Sequence, residues 1–423
     1  MEELKDCMDP HPCATPDVPP GVNASDISPR PYPQVIKYMG SKATLLPFIA
    51  QSLSQVGLSG RPIVDLFAGA CAISGGFGNS TKIISNDIQE YSATIASSYL
   101  HKIQHAGKVD VIRLAEIFAK EKLASLPEGL THSDNSTLDE FNAVETNNKA
   151  LLNTEFDFPY QLFTRAYSGT WWSAEQCVWI DSIRQALDSL REDGSFSEAD
   201  FRLGLTCLMH AMAYTSQGTG HYAQYRDAKD ESSMKDIAKY RRQSVADYFT
   251  RKFSALVDWS ARCVVDLQHE TTSLDYKDCL SRLGSSVIYA DPPYAFVHYS
   301  RFYHAIETIV RYDYPTLQLK GGEVVKGRYR ADRHQSPFCI STQVRGAFVD
   351  LFDGTKDANS DLLLSYSNTG MVGIEELIDL AHQELGGRYR IWVNTLDHDH
   401  MTMGRREDRT RQVQESLIVA KRI

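Results

Sequence analysis

The sequence has no closely spaced cysteine pair, no long apolar run and no excess of positive charge. Its eight cysteines are scattered and form no CxxC motif, which argues against a zinc site or a disulfide framework and favours reduced thiols in a cytoplasmic protein. No apolar run approaches the roughly 18–20 residues of a membrane span, and the acidic N-terminus lacks the apolar segment of a secretory signal. The formal net charge is −10, so any nucleic acid must bind a locally basic surface.

The composition is that of a folded protein with more than one domain. The chain has 423 residues, of which 42% are hydrophobic and 23% charged, and this length corresponds to about two or three domains. Prolines are dense in residues 1–34, which predicts a flexible lead-in. Apolar residues at helical spacing dominate 101–261, so we expect a mostly helical insertion there.

Short apolar runs outside this insertion predict the strands of an α/β sheet. Two of them, 62–67 and 82–87, are separated by room for one helix, as in a βαβ unit. The others are 262–267, 286–291, 361–366, 389–393 and 415–420. The sequence therefore predicts a mostly parallel sheet formed by residues 35–100 and 262–423 and interrupted by the helical insertion.

The first two predicted strands each end near an acidic residue. Asp65 is followed by Phe67, Gly69 and other small residues, and Asp87 ends the second strand. Such a turn brings backbone N–H groups close to a ligand, and an acid at the second position can accept hydrogen bonds from ribose hydroxyls. The alternative is an ordinary turn followed by an incidental acid.

The tetrapeptide Asp291-Pro292-Pro293-Tyr294 follows a predicted buried strand. Two prolines stiffen the backbone, so the aspartate oxygen and the carbonyl between the prolines form two acceptors that match an exocyclic amino group. The tyrosine ring offers a face on which a base can stack. The chemistry suits methylation of a weakly nucleophilic aryl amine; the alternative is a rigid turn with a surface tyrosine.

Tyr38 and Lys42 flank a glycine turn ahead of the first predicted helix. An aromatic ring and a lysine at such a turn can stack on a ligand and hold its carboxylate. Taken alone, the segment also fits a basic surface loop.

In type and order, these four motifs resemble the D12 class of N6-adenine DNA methyltransferases, the Dam-like group. The resemblance implies a Rossmann-like S-adenosylmethionine-dependent methyltransferase sheet, with the helical insertion as a target-recognition lobe. It implies that Asp291, Pro292, Pro293 and Tyr294 grip the target adenine. It further implies cofactor contacts from Tyr38, Lys42, Asp65, Phe67, Gly69, Asp87 and Asp291.

The sequence departs from the family pattern at two places. Cys71 stands where the second glycine of the FxGxG loop is expected, which leaves open a relative that binds nucleic acid without catalysis. Residues 216–225 replace the usual Asn-rich segment of the insertion, so the recognition sequence does not follow from the resemblance.

Several segments are basic enough to contact DNA. Residues 320–345 contain six Lys and Arg against two Asp and Glu, which gives 6 − 2 = +4, and such a segment can neutralise phosphates without reading sequence. The alternative is a set of solvated loops. The candidate DNA contacts are His221, Tyr222, Lys326, Arg328, Arg330 and Arg333.

The predicted function is therefore transfer of a methyl group from S-adenosylmethionine to N6 of a flipped adenine in duplex DNA. Methylation of N4 of cytosine or of adenine in RNA is an alternative. A cognate restriction or defence component is a possible partner, whereas no membrane and no metal are expected. The run Asp397-His398-Asp399-His400 has no third distant ligand and is interpreted as a polar loop.

Overall fold

The structure, a computed structural model, describes residues 27–218, 220–293, 299–367, 370–401 and 410–423, with the backbone alone at 397–401 and 410–413. Its centre is a seven-stranded sheet, and a two-stranded hairpin lies apart from it. The strands are β1 (Ile63–Asp65), β2 (Ile83–Asn86), β3 (Glu270–Thr272), β4 (Val287–Ala290), β5 (Leu319–Lys320), β6 (Glu323–Val324), β7 (Asp361–Ser367), β8 (Tyr389–Met401) and β9 (Thr410–Arg422).

The strand order of the large sheet is β3-β2-β1-β4-β7-β9-β8. The first five strands are parallel to their neighbours, whereas β9 runs antiparallel between β7 and β8. The carboxyl ends of β1, β2 and β4 therefore meet at one edge, where open α/β sheets bind their ligands. The mostly parallel α/β sheet expected of a Rossmann-like methyltransferase is confirmed.

Fifteen α-helices are described. They are α1 (Leu46–Val56), α2 (Ala72–Phe77), α3 (Glu90–Leu100), α4 (Val111–Ala124), α5 (Leu138–Ala150), α6 (Leu162–Tyr167), α7 (Ala174–Glu192), α8 (Glu198–Thr215), α9 (Glu231–Arg241), α10 (Val245–Cys263), α11 (Tyr276–Ser281), α12 (Tyr299–Phe302), α13 (His304–Arg311), α14 (Val344–Asp357) and α15 (Ile374–Leu385). Helices α4 to α10 lie between α3 and β3 in the chain, so the inserted segment is helical as its periodicity predicts.

The central strands are buried because both faces of the sheet are covered. Ile63 and Val287 point into one apolar core, while Val64 and Ile288 point into the other. This is why β1 and β4 read as continuous apolar runs with no polar alternation. The first core continues into the inserted helices, where Trp171 and Trp172 are fully buried.

Residues 27–34 differ from the flexible lead-in expected there. Arg30 is buried, stacks over the Trp259 ring at 4.6 Å and donates hydrogen bonds to the carbonyls of Gly75, Tyr99 and Cys263. A buried guanidinium that satisfies three carbonyls holds its own backbone in place. The rest of the predicted segment lies outside the described residues.

Two of the other local predictions are wrong. No strand forms at 262–267, because the amphipathic helix α10 continues to Cys263; the edge strand β3 follows at Glu270–Thr272, a polar sequence with no apolar run. Residues 397–400 belong to β8 and are not a loop, since β8 and β9 pair along their full lengths.

Candidate active site

A cavity of about 1200 Å³, including its open mouth, lies at the carboxyl edge of the sheet. Its wall combines the segment before α1, the loop after β1, the ends of β2 and β4, and the segment around α11. Among its lining residues are nine of the predicted site residues: Tyr38, Lys42, Asp65, Phe67, Gly69, Asp87, Asp291, Pro292 and Pro293. The tenth, Tyr294, lies outside the described residues.

Asp87 is held in place by backbone donors. Its Oδ2 accepts a 2.9 Å hydrogen bond from the Gly69 N–H, and its Oδ1 accepts one of 2.9 Å from the Gln89 N–H. Burial raises the pKa of Asp87, while these two donors lower it. Each carboxylate oxygen has a second lone pair, so Asp87 retains acceptor capacity toward the cavity.

Gly69 is required by the approach of Tyr38. The glycine has φ +50°, and a Cβ built on it would lie 2.8 Å from the Tyr38 hydroxyl oxygen. Real Cβ contacts are not that short, so any side chain here would displace the Tyr38 ring. The loop after β1 and the segment before α1 are therefore packed against each other at the cavity wall.

Cys71 takes the backbone conformation that a glycine would provide. Its φ is +61°, in the left-handed region, and it caps the N-terminus of α2. The thiol is buried and donates to the Ser92 carbonyl at 3.2 Å, while the cavity wall is formed by its neighbours Ala70 and Ala72. The substitution thus leaves the cavity unobstructed.

Lys42 lies between two carboxylates. Its Nζ is 3.3 Å from Asp291 Oδ1, and it is 3.3 and 3.2 Å from the two carboxylate oxygens of Glu415 on β9. The Lys42 and Glu415 side chains are 8% and 3% exposed. Sequence reasoning missed Glu415, because it belongs to a strand 373 residues after Lys42 and carries no local motif.

Asp291 has an unused acceptor. Its Oδ1 is buried, and no hydrogen bond of suitable geometry reaches it from the described residues. Burial is the largest effect on its carboxyl and raises the pKa to about 6; Lys42 lowers this pKa and Glu415 raises it. Buried carboxylate oxygens are rarely left without a donor, so this atom is available to a ligand.

Asp65 adds a second buried carboxyl. Burial raises its pKa well above the usual value, and the nearby carboxyls of Asp291 and Asp87 raise it further. With Asp275, four acids line the cavity together with one lysine, Lys42. These side chains sum to 1 − 4 = −3 when all are ionised and to 1 − 3 = −2 with Asp65 protonated, and either sum favours a cationic ligand.

Aromatic rings form another part of the wall. Tyr38 stacks on Tyr303 with ring centroids 4.6 Å apart and on Tyr299 at 5.9 Å. The Tyr303 hydroxyl also accepts a 2.8 Å hydrogen bond from the Met39 N–H. Sequence reasoning missed both partners, although two tyrosines shortly after Asp291–Tyr294 were a signal.

Three of the six predicted DNA contacts are framework residues. Tyr222 is 3% exposed and packs against Trp171 and Trp172. Arg328 is buried and donates to the Ala166 carbonyl. Arg330 is also buried and forms two 2.7 Å hydrogen bonds with Asp313, so the structure contradicts a phosphate-binding role for this pair of arginines and a base contact for Tyr222.

The other three predicted contacts are more accessible. Lys326 is exposed and pairs with Asp227 at 2.6 Å. Arg333 is partly exposed and donates to the Gln318 side chain at 2.6 Å, and His221 is partly exposed beside the Phe302 ring. These residues stay candidate contacts.

Two further features bear on the predictions. Among the described residues, no helix combines the length and apolar character needed to cross a bilayer. Within the same part of the chain, no three His, Cys, Asp or Glu side chains are grouped as metal ligands would be.

Comparison with known proteins identifies one matching family. The model of the D12 class N6 adenine-specific DNA methyltransferases matches residues 38–168 and 215–359. These two segments include every site residue discussed above except Glu415.

Curated proteins with similar sequences include three DNA modification enzymes. Modification methylase LlaI of Lactococcus lactis subsp. lactis is 25% identical over 82% of this chain and 49% of its own length. Type II methyltransferase M.FokI of Planomicrobium okeanokoites is 25% identical over 84% of this chain and 48% of its own length. Type II methyltransferase M.NlaIII of Neisseria lactamica is 20% identical over 84% of this chain and 89% of its own length. The chain therefore spans about half the length of the first two proteins and most of the third.

Proposed function

This chain belongs to the D12 class N6 adenine-specific DNA methyltransferase family, and on that premise we propose that it transfers a methyl group from S-adenosylmethionine to N6 of adenine in duplex DNA. The observation that carries the proposal is the buried Oδ1 of Asp291 at the wall of the cavity, which has an ion-pair contact with Lys42 but no hydrogen bond of good geometry from the described residues. An exocyclic amino group would supply the missing donor.

The residues of the cavity fit S-adenosylmethionine. The excess of acids at the wall favours its positively charged sulfonium and ammonium groups. Asp87 would accept hydrogen bonds from the two ribose hydroxyls, and Tyr38 and Phe67 would pack against the body of the cofactor. When bound, the cofactor supplies an electrophilic methyl group.

Asp291 would act on the target amine in two ways. Its Oδ1 would accept one N–H, and the carbonyl of Pro292 would accept the other. These two bonds orient the nitrogen lone pair for in-line attack and make it a better nucleophile. The pKa of about 6 leaves Asp291 mostly ionised at neutral pH, so it can accept the hydrogen bond and stabilise the charge that develops on nitrogen.

The adenine must leave the base stack to reach this cavity, and we propose that Tyr294 stacks on it there. Residues 35–100 and 262–423 would form the catalytic domain, and 101–261 would contact the DNA around the target. His221, Lys326 and Arg333 are the candidate contacts. We propose a cytoplasmic location, since Cys71, Cys177, Cys207 and Cys279 are free thiols, and a partnership with a restriction or defence component.

The decisive experiment is mass spectrometry of hydrolysed DNA after incubation with S-adenosylmethionine and the purified chain. The proposal expects N6-methyladenine with the parent and none with Asp291→Ala. N4-methylcytosine as the product, or an Asp291→Ala variant as active as the parent, would contradict it.

A further inference from the structure

Resting on the proposed function, we propose that Glu415 is a positioning residue for methyl transfer, which holds the Lys42 ammonium beside Asp291 and leaves one Asp291 oxygen for the target amine. Glu415 touches neither of the reacting atoms by itself. It acts through Lys42, and it lies beyond the residues that the family model matches.

The geometry divides one cation between two anions. Both carboxylate oxygens of Glu415 accept hydrogen bonds from Lys42 Nζ, at 3.3 and 3.2 Å. The same nitrogen has an ion-pair contact of 3.3 Å with Asp291 Oδ1, and no hydrogen bond of good geometry reaches that oxygen from the described residues. Lys42 is thus directed at Glu415 and merely adjacent to Asp291.

This division matters because an ammonium would compete with the substrate. A lysine has three donors and no acceptor; without Glu415 they would turn to the oxygens of Asp291, which are the acceptors that the amine needs. A buried ammonium with one partner also draws negative charge from that partner more strongly than one shared by two. Glu415 therefore protects the basicity and the free lone pairs of Asp291.

Glu415 can hold Lys42 in this position because its side chain is buried and its backbone is fixed in the sheet. Its side chain is 3% exposed, and its backbone pairs with Ser367 on one side and with Leu396 on the other. A carboxylate on a strand flanked by two others is held to a narrow range of positions, as a functional group should be.

The pKa of the Asp291 carboxyl depends on how Lys42 and Glu415 are arranged around it. Around its carboxyl are one cation, two acids and two hydroxyls from different elements: Lys42, Glu415, Asp65, Ser365 and Tyr289. Glu415 raises the pKa of Asp291 and Lys42 lowers it. Removing the charge of Glu415 would therefore shift the titration of Asp291 to lower pH, and Lys42 would hold its oxygens more tightly.

The test compares Glu415→Gln with Asp361→Asn. Asp361 is a matched control, because it is also a buried acid of the sheet and forms an ion pair with Arg61 at 2.6 Å. It lies at the start of β7, at the amino ends of the parallel strands, whereas the cavity lies at their carboxyl ends. For Glu415→Gln we expect kcat on DNA to fall about tenfold, with little change in KM for S-adenosylmethionine, and the acid limb of kcat/KM to move to lower pH. Asp361→Asn should leave the acid limb in place.

A second readout separates this inference from the proposed function. In protein labelled with ¹³C-aspartate, the Asp291 carboxyl resonance, assigned by its loss in Asp291→Asn, should titrate at lower pH in Glu415→Gln than in the parent. This measurement needs no methylation. If the parent methylates no DNA, the proposed function fails, while the titration still decides the coupling between Glu415 and Asp291.

Three results would overturn the inference. They are an unchanged kcat in folded Glu415→Gln, an unchanged Asp291 titration, or a loss of S-adenosylmethionine binding that accounts for the whole loss of activity. Should Glu415→Gln not fold, Glu415→Asp serves instead. It retains the charge but retracts it by one methylene, so kcat should fall while the acid limb stays in place, and a parent-like kcat would contradict the proposal.

Discussion

The backbone N–H of Gly69 donates a 2.9 Å hydrogen bond to Oδ2 of Asp87, which joins the loop after β1 to the end of β2. One carboxylate thereby shapes the loop and also faces the cavity. A change at Asp87 would therefore alter both the loop and the cavity wall.

Replacing Asp87 should weaken cofactor binding strongly. We expect Asp87→Asn to raise the Kd for S-adenosylmethionine by at least about tenfold, because an amide offers only one acceptor oxygen and its NH₂ would face a backbone donor. Calorimetric titration measures the change. Glu90→Gln, an exposed neighbour at the start of α3, is the control, and an equal effect from both would contradict this role of Asp87.

A methyl group at Gly69 should be far more damaging than one at Gly57. Both glycines have positive φ, but nothing lies within 4 Å of a Cβ at Gly57, whereas one at Gly69 meets Tyr38 at 2.8 Å. Gly57→Ala should cost only the backbone strain of its positive φ, about 1–3 kcal/mol in unfolding free energy. Gly69→Ala should also lose cofactor affinity, since Tyr38 must move. Thermal unfolding and calorimetry on the two variants decide this, and equal cofactor affinity would refute it.

Cys71→Gly should preserve cofactor binding. Glycine relieves the left-handed backbone, worth about 1–2 kcal/mol, and loses a similar amount of buried apolar contact. The net change in unfolding free energy should therefore be near zero. Cys71→Val, which places a β-branched side chain at φ +61°, should destabilise the protein. Denaturant titration of both variants distinguishes them, and a loss of cofactor affinity in Cys71→Gly would show that the thiol does more than fill space.

Asp291 should trade stability for activity. Its folded pKa of about 6 lies above the usual aspartate value of about 3.9, so the folded state binds more protons than the unfolded state between these two values, and stability falls as the pH rises through this window. Asp291→Asn should therefore be inactive yet more stable than the parent at pH 7.5, by the order of 1–3 kcal/mol. Activity of the parent should fall as the pH drops below about 6. Unfolding curves at pH 7.5 and a pH–rate profile measure both, and a less stable Asp291→Asn would oppose this account.

Two basic residues of one segment should behave differently. Arg330→Ala removes a buried partner of Asp313 and should cost about 1–3 kcal/mol in unfolding free energy, because the Asp313 side chain is 32% exposed and keeps Arg311 at 3.0 Å. Lys326→Ala, at an exposed position, should leave stability nearly unchanged while reducing the salt dependence of DNA binding by about one phosphate contact. Unfolding curves and binding titrations at several salt concentrations make the comparison. If the salt dependence of DNA binding is unchanged in Lys326→Ala, Lys326 does not contact a DNA phosphate.

Much of the catalytic frame follows from local sequence. The segments that form β1, β2, β4 and β7 are apolar because both faces of a parallel sheet are buried, so these strands can be predicted from the sequence alone. Polar side chains at their carboxyl ends meet at one edge for the same reason, and nine predicted site residues line one cavity there. The polar strand β3 escaped prediction because an exposed edge strand needs no apolar run.

The amino-acid order by itself determined which residues end the buried strands, since that depends on short-range patterns of burial and turn chemistry. The tertiary structure alone decided which charges stay free. In the sequence, Arg328 and Arg330 cannot be distinguished from exposed basic residues. Only the packing shows that Arg328 donates to the Ala166 carbonyl and that Arg330 pairs with Asp313. In the same way only the fold brings Glu415 to Lys42, because electrostatic partners are set by distance in space and not by separation along the chain.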